Sequence, residues 1–537
     1  MERTIRESIA CPAAGSARPL LVSGVACRGE ASGERRSLAP GPWPPYPAKS
    51  HRWMRNGCEL ALAIGLLTAA GCMVGPDYHS PQSPMPATWS GAAAPPGRAL
   101  AAPSSTPTAG PASVTNWWAN FHEPALNRLV ASAVASNLDL RQAESRVRQA
   151  RAERGVVASG LWPSLDAAGE YRRNRTSGAN VKAVDLYQAG LDASWELDIF
   201  GGTRRAVEAA NADIVASLED RRDVLVTLVA EVALNYFSLR GLQQELAIAG
   251  ENLTAQEHSA ELTRKLFRGG FNSKLDVANA EAQAATTRSQ IPVLESAARQ
   301  TIYALSVLLA REPSALVEEL SNPAPLPVIP PEVPVGLPAD LLRRRPDIRR
   351  AEAQLHGATA RTGVAVADLF PSFSLTGSLG TSGNKLPSLV KWDNRFYSVG
   401  PTVTWSIFHA GAIRANIAVQ GEIEEQALLN YQKTVLTALS DVESALVAYV
   451  NEQQQRQGLA EAVADNRQAV TLATQLYTEG QTDFLNVLSA QRSLYAAQDA
   501  LVQSERTVAT DLVAIYKALG GGWDISDDAR PANGSGR

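Results

Sequence analysis

Cysteine is missing from almost all of this chain. Its four cysteines, Cys11, Cys27, Cys58 and Cys72, all precede residue 73. A mature chain beginning at Cys72 would carry a single sulfur, which excludes disulfides, cysteine metal sites and a cysteine nucleophile together. Aromatic residues make up only 6%, which suits alanine-rich helices better than a thick globular core. Neither sign of charge dominates: the formal net charge is −4 over 537 residues, so there is no electrostatic footprint for nucleic acid. The histidines (His51, His79, His122, His258, His356 and His409) are scattered, with no pair at ligand spacing. No Gly-rich phosphate loop and no credible triad is present. The expectation is therefore no catalytic residue, no metal and no dissociable cofactor.

Proline is absent where it would break long helices, between residues 203 and 291 and again between 402 and 530. These stretches are rich in Ala, Leu, Gln, Glu and Arg, all good helix formers. Leu225, Leu228, Val229, Val232, Leu239, Leu242 and Leu246 recur at spacings of three and four, as do Val435, Leu439, Val442, Leu446 and Val450. Two helical arms are expected, 203–268 and 411–478, each about 100 Å long at ~1.5 Å per residue. Each runs into a glycine-marked turn, LFRGGFNSKLDV at 266–277 and LYTEGQTDFLNV at 476–487. Gly270 matches Gly480, Leu275 matches Leu485 and Val277 matches Val487 at one constant offset. The chain thus reads as two copies of one long unit. From periodicity alone, a structural coiled coil fits the arms equally well.

Residues 161–200 and 370–408 change period from helical to alternating. Tyr187, Ala189, Leu191, Ala193, Trp195, Leu197 and Ile199 alternate with polar or small residues, and Tyr397, Val399, Val403, Trp405 and Ile407 do the same in the second copy. Two β-hairpins follow, with strands long enough to cross a bilayer when tilted. A half-buried soluble sandwich would alternate in the same way. The hairpins are isolated, however, and an export signal precedes them. Four strands cannot close a barrel, so membrane strands would have to be pooled between chains. Two copies would fill the interior, and three would leave room for a water channel.

At the N-terminus, Arg55, the apolar run 60–67 and small residues before Cys72 form a secretory signal. The segment also resembles a bacterial lipobox, although Ala69 stands where Leu is usual. The boundaries expected are an extension at 1–53 from a start codon set too early, a lipoprotein signal peptide at 54–71, and a tether at 72–115. The first copy spans 116–320, a Pro-rich linker 321–338, the second copy 339–523 and a disordered tail 524–537. The helical stretch after Trp117 should break near 137–140. Pro292 should kink the helix after the first tip, dividing it into 274–291 and 294–311.

Five stretches carry a resemblance: CMVGPDY at 72–78, RRPDIR at 344–349, VGPTVTW at 399–405, AQRSL at 490–494 and YKALGGGW at 516–523. Together they resemble the outer-membrane efflux protein family, TolC/OprM type, in the lipoprotein subgroup of RND efflux systems. The resemblance implies a mainly α fold with membrane β: a homotrimer with an α-helical barrel continuous with a shared, twelve-stranded β-barrel. It implies N-acyl and S-diacylglycerol lipid on Cys72, and an outer-membrane duct extending into the periplasm. The implied partners are a periplasmic membrane-fusion adaptor, an inner-membrane RND-type pump and outer-membrane lipid. Gly269, Gly270, Gly480 and Asp483 fall at the adaptor-docking tips, where the glycines serve turning as well as docking. Leu485, Ser489 and Arg492 fall at the periplasmic gate. Ser489 stands where the family often has an aspartate tied to the arginine, and Asp483 and Asp276 are nearby carboxylates that could take its place or simply be solvated. A type I secretion duct for a polypeptide and a non-conducting envelope coiled coil are the competing functions.

Overall fold

The computed structural model describes residues 73–91, 105–108, 110, 114–175, 177 and 182–524. Cys72, the extension 1–53, the signal segment 54–71 and the tail beyond 524 lie outside the described residues.

Helix α1, Pro124–Ser136, starts with proline in its first turn, where the missing N–H is not needed. Asn137 ends it and caps α2, Leu138–Ser159, by accepting the Leu140 amide at 2.9 Å. Strands β1, Ser164–Asn174, and β2, Val184–Leu197, form the first hairpin. The first arm, α3, runs Gly202–Arg268, and α4 runs Lys274–Leu308. The second series follows the same plan: α5 at Pro346–Ala367, β3 at Ser372–Gly383, β4 at Arg395–Thr404, α6 at Ala412–Thr478 and α7 at Phe484–Ala518. The lengths match in pairs: 22 residues for α2 and α5, 67 for α3 and α6, and 35 for α4 and α7.

One expectation needs correcting. The helix after the first tip is one element through Pro292, not two, and it ends at Leu308 rather than 311. Pro292 sits on an exposed face of this helix. The tether and the Pro-rich linker meet in extended form, where Thr106–Thr108 pairs in parallel with Glu332–Pro334. Trp89, buried nearby, donates its indole hydrogen to the Gly336 carbonyl at 3.1 Å.

The principal core lies midway along the arms. Trp117 stacks on Tyr516 with ring centres 5.1 Å apart, and Phe121 meets Phe237 at 4.8 Å. Val229, Val232 and Leu239 of α3, Val435, Val442 and Leu446 of α6, and Leu512 and Ile515 of α7 close around them. The motif at 344–349 locks this level. Pro346 opens α5, while Arg345, nearly buried, donates to both Asp347 oxygens, to Asp441 of α6 at 3.0 Å and to the Ala518 carbonyl of α7 at 3.0 Å. Gly520, at φ 71°, ends α7, and Trp523 lies between Arg222 and Arg349.

The four strands form one antiparallel sheet in the order β1–β2–β3–β4. Its register keeps parity throughout: Leu165 faces Ala193, Leu191 faces Leu379 and Leu379 faces Tyr397. One face is therefore apolar across all four strands. The other carries Asp166, Asp192, Ser378 and Ser398 in one row. No strand residue of this sheet is buried, and Tyr397 is 83% exposed. Nothing among the described residues covers the apolar face or pairs the outer edges of β1 and β4.

Candidate gate and docking tips

The two arms end in the same backbone device. After α3, the Gly270 amide bonds to the Phe267 carbonyl and the Phe271 amide to Leu266 at 2.9 Å, with Gly270 at φ 79°. After α6, Gly480 bonds to Tyr477 and Gln481 to Leu476 at 2.8 Å, with Gly480 at φ 72°. This is the Schellman closure, whose left-handed residue favours glycine. Gly269 does a different job: a Cβ there would meet the Phe271 ring at 2.9 Å. Asp483 stands at the N-cap of α7 without a side-chain cap bond. At the first tip Ser273 caps α4 in a capping box with Asp276, whose carboxylate accepts from the Ser273 amide and hydroxyl. Asp276 is thus engaged at its own helix end.

The tips are held together within the chain. Asn272 donates to the Tyr477 hydroxyl at 3.0 Å, and Tyr477, Phe484, Val487 and Leu488 pack with Ala260 and Ala280 in a small separate core. That packing turns the opposite face of α7 outward. Leu485, Ser489 and Arg492, spaced by four and three residues, share this outward face, with Leu485 57% exposed.

Among the described residues Arg492 does not reach an acid. Its Nε donates to Gln283 Oε1 on α4 at 2.6 Å. Further along α7, Tyr495 donates to Gln290 at 2.8 Å, Gln491 to Ser259 at 2.8 Å, and Gln498 accepts from Asn252 at 3.0 Å. A largely neutral ladder therefore ties α7 to α3 and α4. It ends at charged groups, where Arg506 pairs with Glu245 at 3.1 Å and packs so closely on Gly241 that a Cβ there would meet it at 2.7 Å. Burial pushes the Glu245 and Asp499 carboxyls above their ordinary values, and Arg506 opposes both shifts.

Gln283, Gln290, Asn272 and Tyr477 were not singled out from the sequence. Ser273 could have been, through the pattern Ser-x-x-Asp at 273–276. For Gln283 the sequence holds no signal, because its partner is more than two hundred residues away.

The Outer membrane efflux protein family model matches residues 129–311 and 337–521, more than half of the chain. The chain belongs to the outer membrane efflux protein family. It is 33% identical over 477 residues to the toluene efflux pump outer membrane protein TtgF of Pseudomonas putida, covering 87% of this chain and 96% of that one. It is 35% identical over 420 residues to the pyoverdine export outer membrane protein OpmQ of Pseudomonas aeruginosa, covering 76% and 88%. Among solved structures it resembles the outer-membrane channel OprN, with 36% identity, a TM-score of 0.77, and 84% and 100% of the chains covered. As an outer membrane efflux protein, this chain has a lipid phase available for the apolar face of its sheet, which the described residues leave bare.

Proposed function

We propose that this outer-membrane protein is the exit duct of a tripartite efflux system of the RND type. One observation carries the reading: a sheet with a bare apolar face and two unpaired edges sits on helical arms of 67 residues. In lipid those edges must be paired. Three copies would bring twelve strands around an aqueous lumen lined by the row of Asp166, Asp192, Ser378 and Ser398. The arms of the same three copies would form the periplasmic tunnel. The matched element lengths support the duplication of one ancestral unit within the chain.

On this reading the gate is the outward face of α7 at Leu485, Ser489 and Arg492. The tips at Gly269, Gly270, Gly480 and Asp483 meet a periplasmic adaptor that links the duct to an inner-membrane pump. The duct is passive and performs no catalysis, and selection among small molecules belongs to the pump.

Lipid on Cys72 fits the path of the tether. The Val74 amide bonds to the Phe200 carbonyl at 3.1 Å, and Met73 lies so close to Gly201 that a Cβ there would meet it at 2.7 Å. Residue 73 thus sits where the sheet gives way to α3, beside the stacked Phe200 and Phe370 rings. Acyl chains on the preceding residue would enter the same membrane at its inner surface.

The test combines three measurements on protein taken from outer membranes: cross-linking, conductance in planar bilayers, and identification of co-purifying proteins. Trimers that conduct and carry an adaptor and an RND-type pump are expected. A monomer, or a trimer that stays non-conducting even when it carries Leu485→Ser with Arg492→Ala, would sink the reading in favour of a structural envelope protein. Co-purification with a polypeptide exporter would move it to the secretion duct.

A further inference from the structure

The far end of the sheet, away from the helices, is basic. The connection between β1 and β2 carries Arg175 and Lys182, with Arg173 and Asp185 paired at its base. The connection between β3 and β4 carries Lys385 and Lys391 against a single acid, Asp393, and β4 opens on Arg395. The face matters as much as the count. Register places Arg395 beside Thr381 on the same parity as Leu379, Tyr397 and Val399, which is the apolar face. From Trp405 up to Arg395 the chain climbs about 33 Å, or roughly 23 Å at a tilt of ~45°, close to the ~25 Å apolar band of an outer-membrane barrel. Within that climb no residue of this face in β3 or β4 is charged. Arg395 therefore stands at the height of the outer headgroups, facing lipid rather than the lumen.

The same loop exposes apolar side chains between its cations. Val390 is 87% and Trp392 75% exposed, and the Arg395 guanidinium lies over the Trp392 ring at 3.3 Å. Lys385, Lys391 and Arg395 have no carboxylate partner among the described residues. An aromatic and an aliphatic side chain interleaved with cations suit a headgroup interface, where one end is apolar and the other ionic. Open water would leave the apolar groups uncompensated.

We infer that this outer rim is a binding surface for the phosphates of a phosphorylated glycolipid in the outer leaflet. Lys391 and Arg395 engage phosphate, while Trp392 and Val390 enter the acyl boundary. Outer-membrane placement and the sheet register are sufficient for this; the number of chains in the barrel is not used.

The test uses the full chain in mild detergent, titrated with bisphosphorylated lipid A and read by native mass spectrometry. The variants are K385Q/K391Q/R395Q in the rim and K433Q on α6 as a control. Wild type and K433Q should retain lipid A. The triple variant should retain it at least tenfold less well, since each cation near an anionic surface contributes about 1 kcal/mol. Equal retention by the triple variant overturns the proposal, as does equal retention of phosphatidylglycerol or displacement by millimolar inorganic phosphate. Loss of cross-linked oligomer in the triple variant would overturn it too, by making the rim a contact between chains.

Discussion

Arg492 and Gln283 are joined across the two halves of the chain, from α7 to α4, by a bond of 2.6 Å from the guanidinium Nε to the amide oxygen. The acceptor is neutral, and so is Ser489 one turn away. If the gate opens by moving α7 away from α4, this bond and the one from Tyr495 to Gln290 must break. Neither bond involves a carboxylate.

Removing the latch should open the duct. Leu485→Ser combined with Arg492→Ala is expected to raise single-channel conductance in planar bilayers. Unchanged conductance would move the constriction elsewhere. Gln283→Glu should do the reverse, because a charge-assisted bond is roughly twice as strong as a neutral one. The open fraction should fall about tenfold at low salt and recover as salt is added.

The tip glycines are required by backbone shape. Gly270 and Gly480 hold φ values of 79° and 72°, and open space surrounds both. Ala at either site therefore meets conformational strain rather than a clash, at a cost of about 1–2 kcal/mol. Hydrogen exchange should rise locally in the two tips while the middle of the arms stays protected.

Arg345 should be the most sensitive cation in the body of the protein. It serves Asp347, Asp441 and the Ala518 carbonyl at once. Arg345→Ala leaves Asp347, 22% exposed, without its cation beside the more exposed Asp441, and strips the Ala518 carbonyl of a donor, so about 1–3 kcal/mol of stability should go with it. Arg345→Lys should recover little, because an ammonium cannot span the fork geometry. Chemical denaturation of the purified chain measures both.

Asp511 makes stability depend on pH. Burial, with the Glu452 carboxylate second, pushes its carboxyl up to about 6. An unfolded aspartyl group ionises near ~3.9. Between those values the unfolded chain releases its proton first, so the folded state loses stability as pH rises, and the loss is complete above the folded value. Asp511→Asn should raise the Tm at about pH 8 and leave it unchanged at about pH 3.5. A variant with the same Tm difference at both would show that this carboxyl does not titrate as stated.

The arms were legible almost to the residue. The first, expected over 203–268, is Gly202–Arg268, and the second, expected over 411–478, is Ala412–Thr478. Proline-free sequence and terminal glycine carry that information locally. The strands were legible for the same reason, since alternation is a local period. The Pro292 misreading came from weighing a proline without knowing that it lies on the open face of a packed helix. The pairing of Thr106–Thr108 with Glu332–Pro334 had no period to read in three residues. At the proposed gate, the shared face of Leu485, Ser489 and Arg492 follows from spacing, but the partner of Arg492 is a tertiary fact. Only the fold brings Gln283 beside it.

Strands β1 and β4 each end the sheet with an edge that is unpaired among the described residues. On the three-copy reading this has a genetic consequence. A cell expressing a sound and a damaged allele in equal dose would assemble only about one duct in eight wholly from sound copies, if subunits mix at random. A damaged allele that still folds its hairpins should therefore be dominant over the sound one, whereas one that never folds should be recessive.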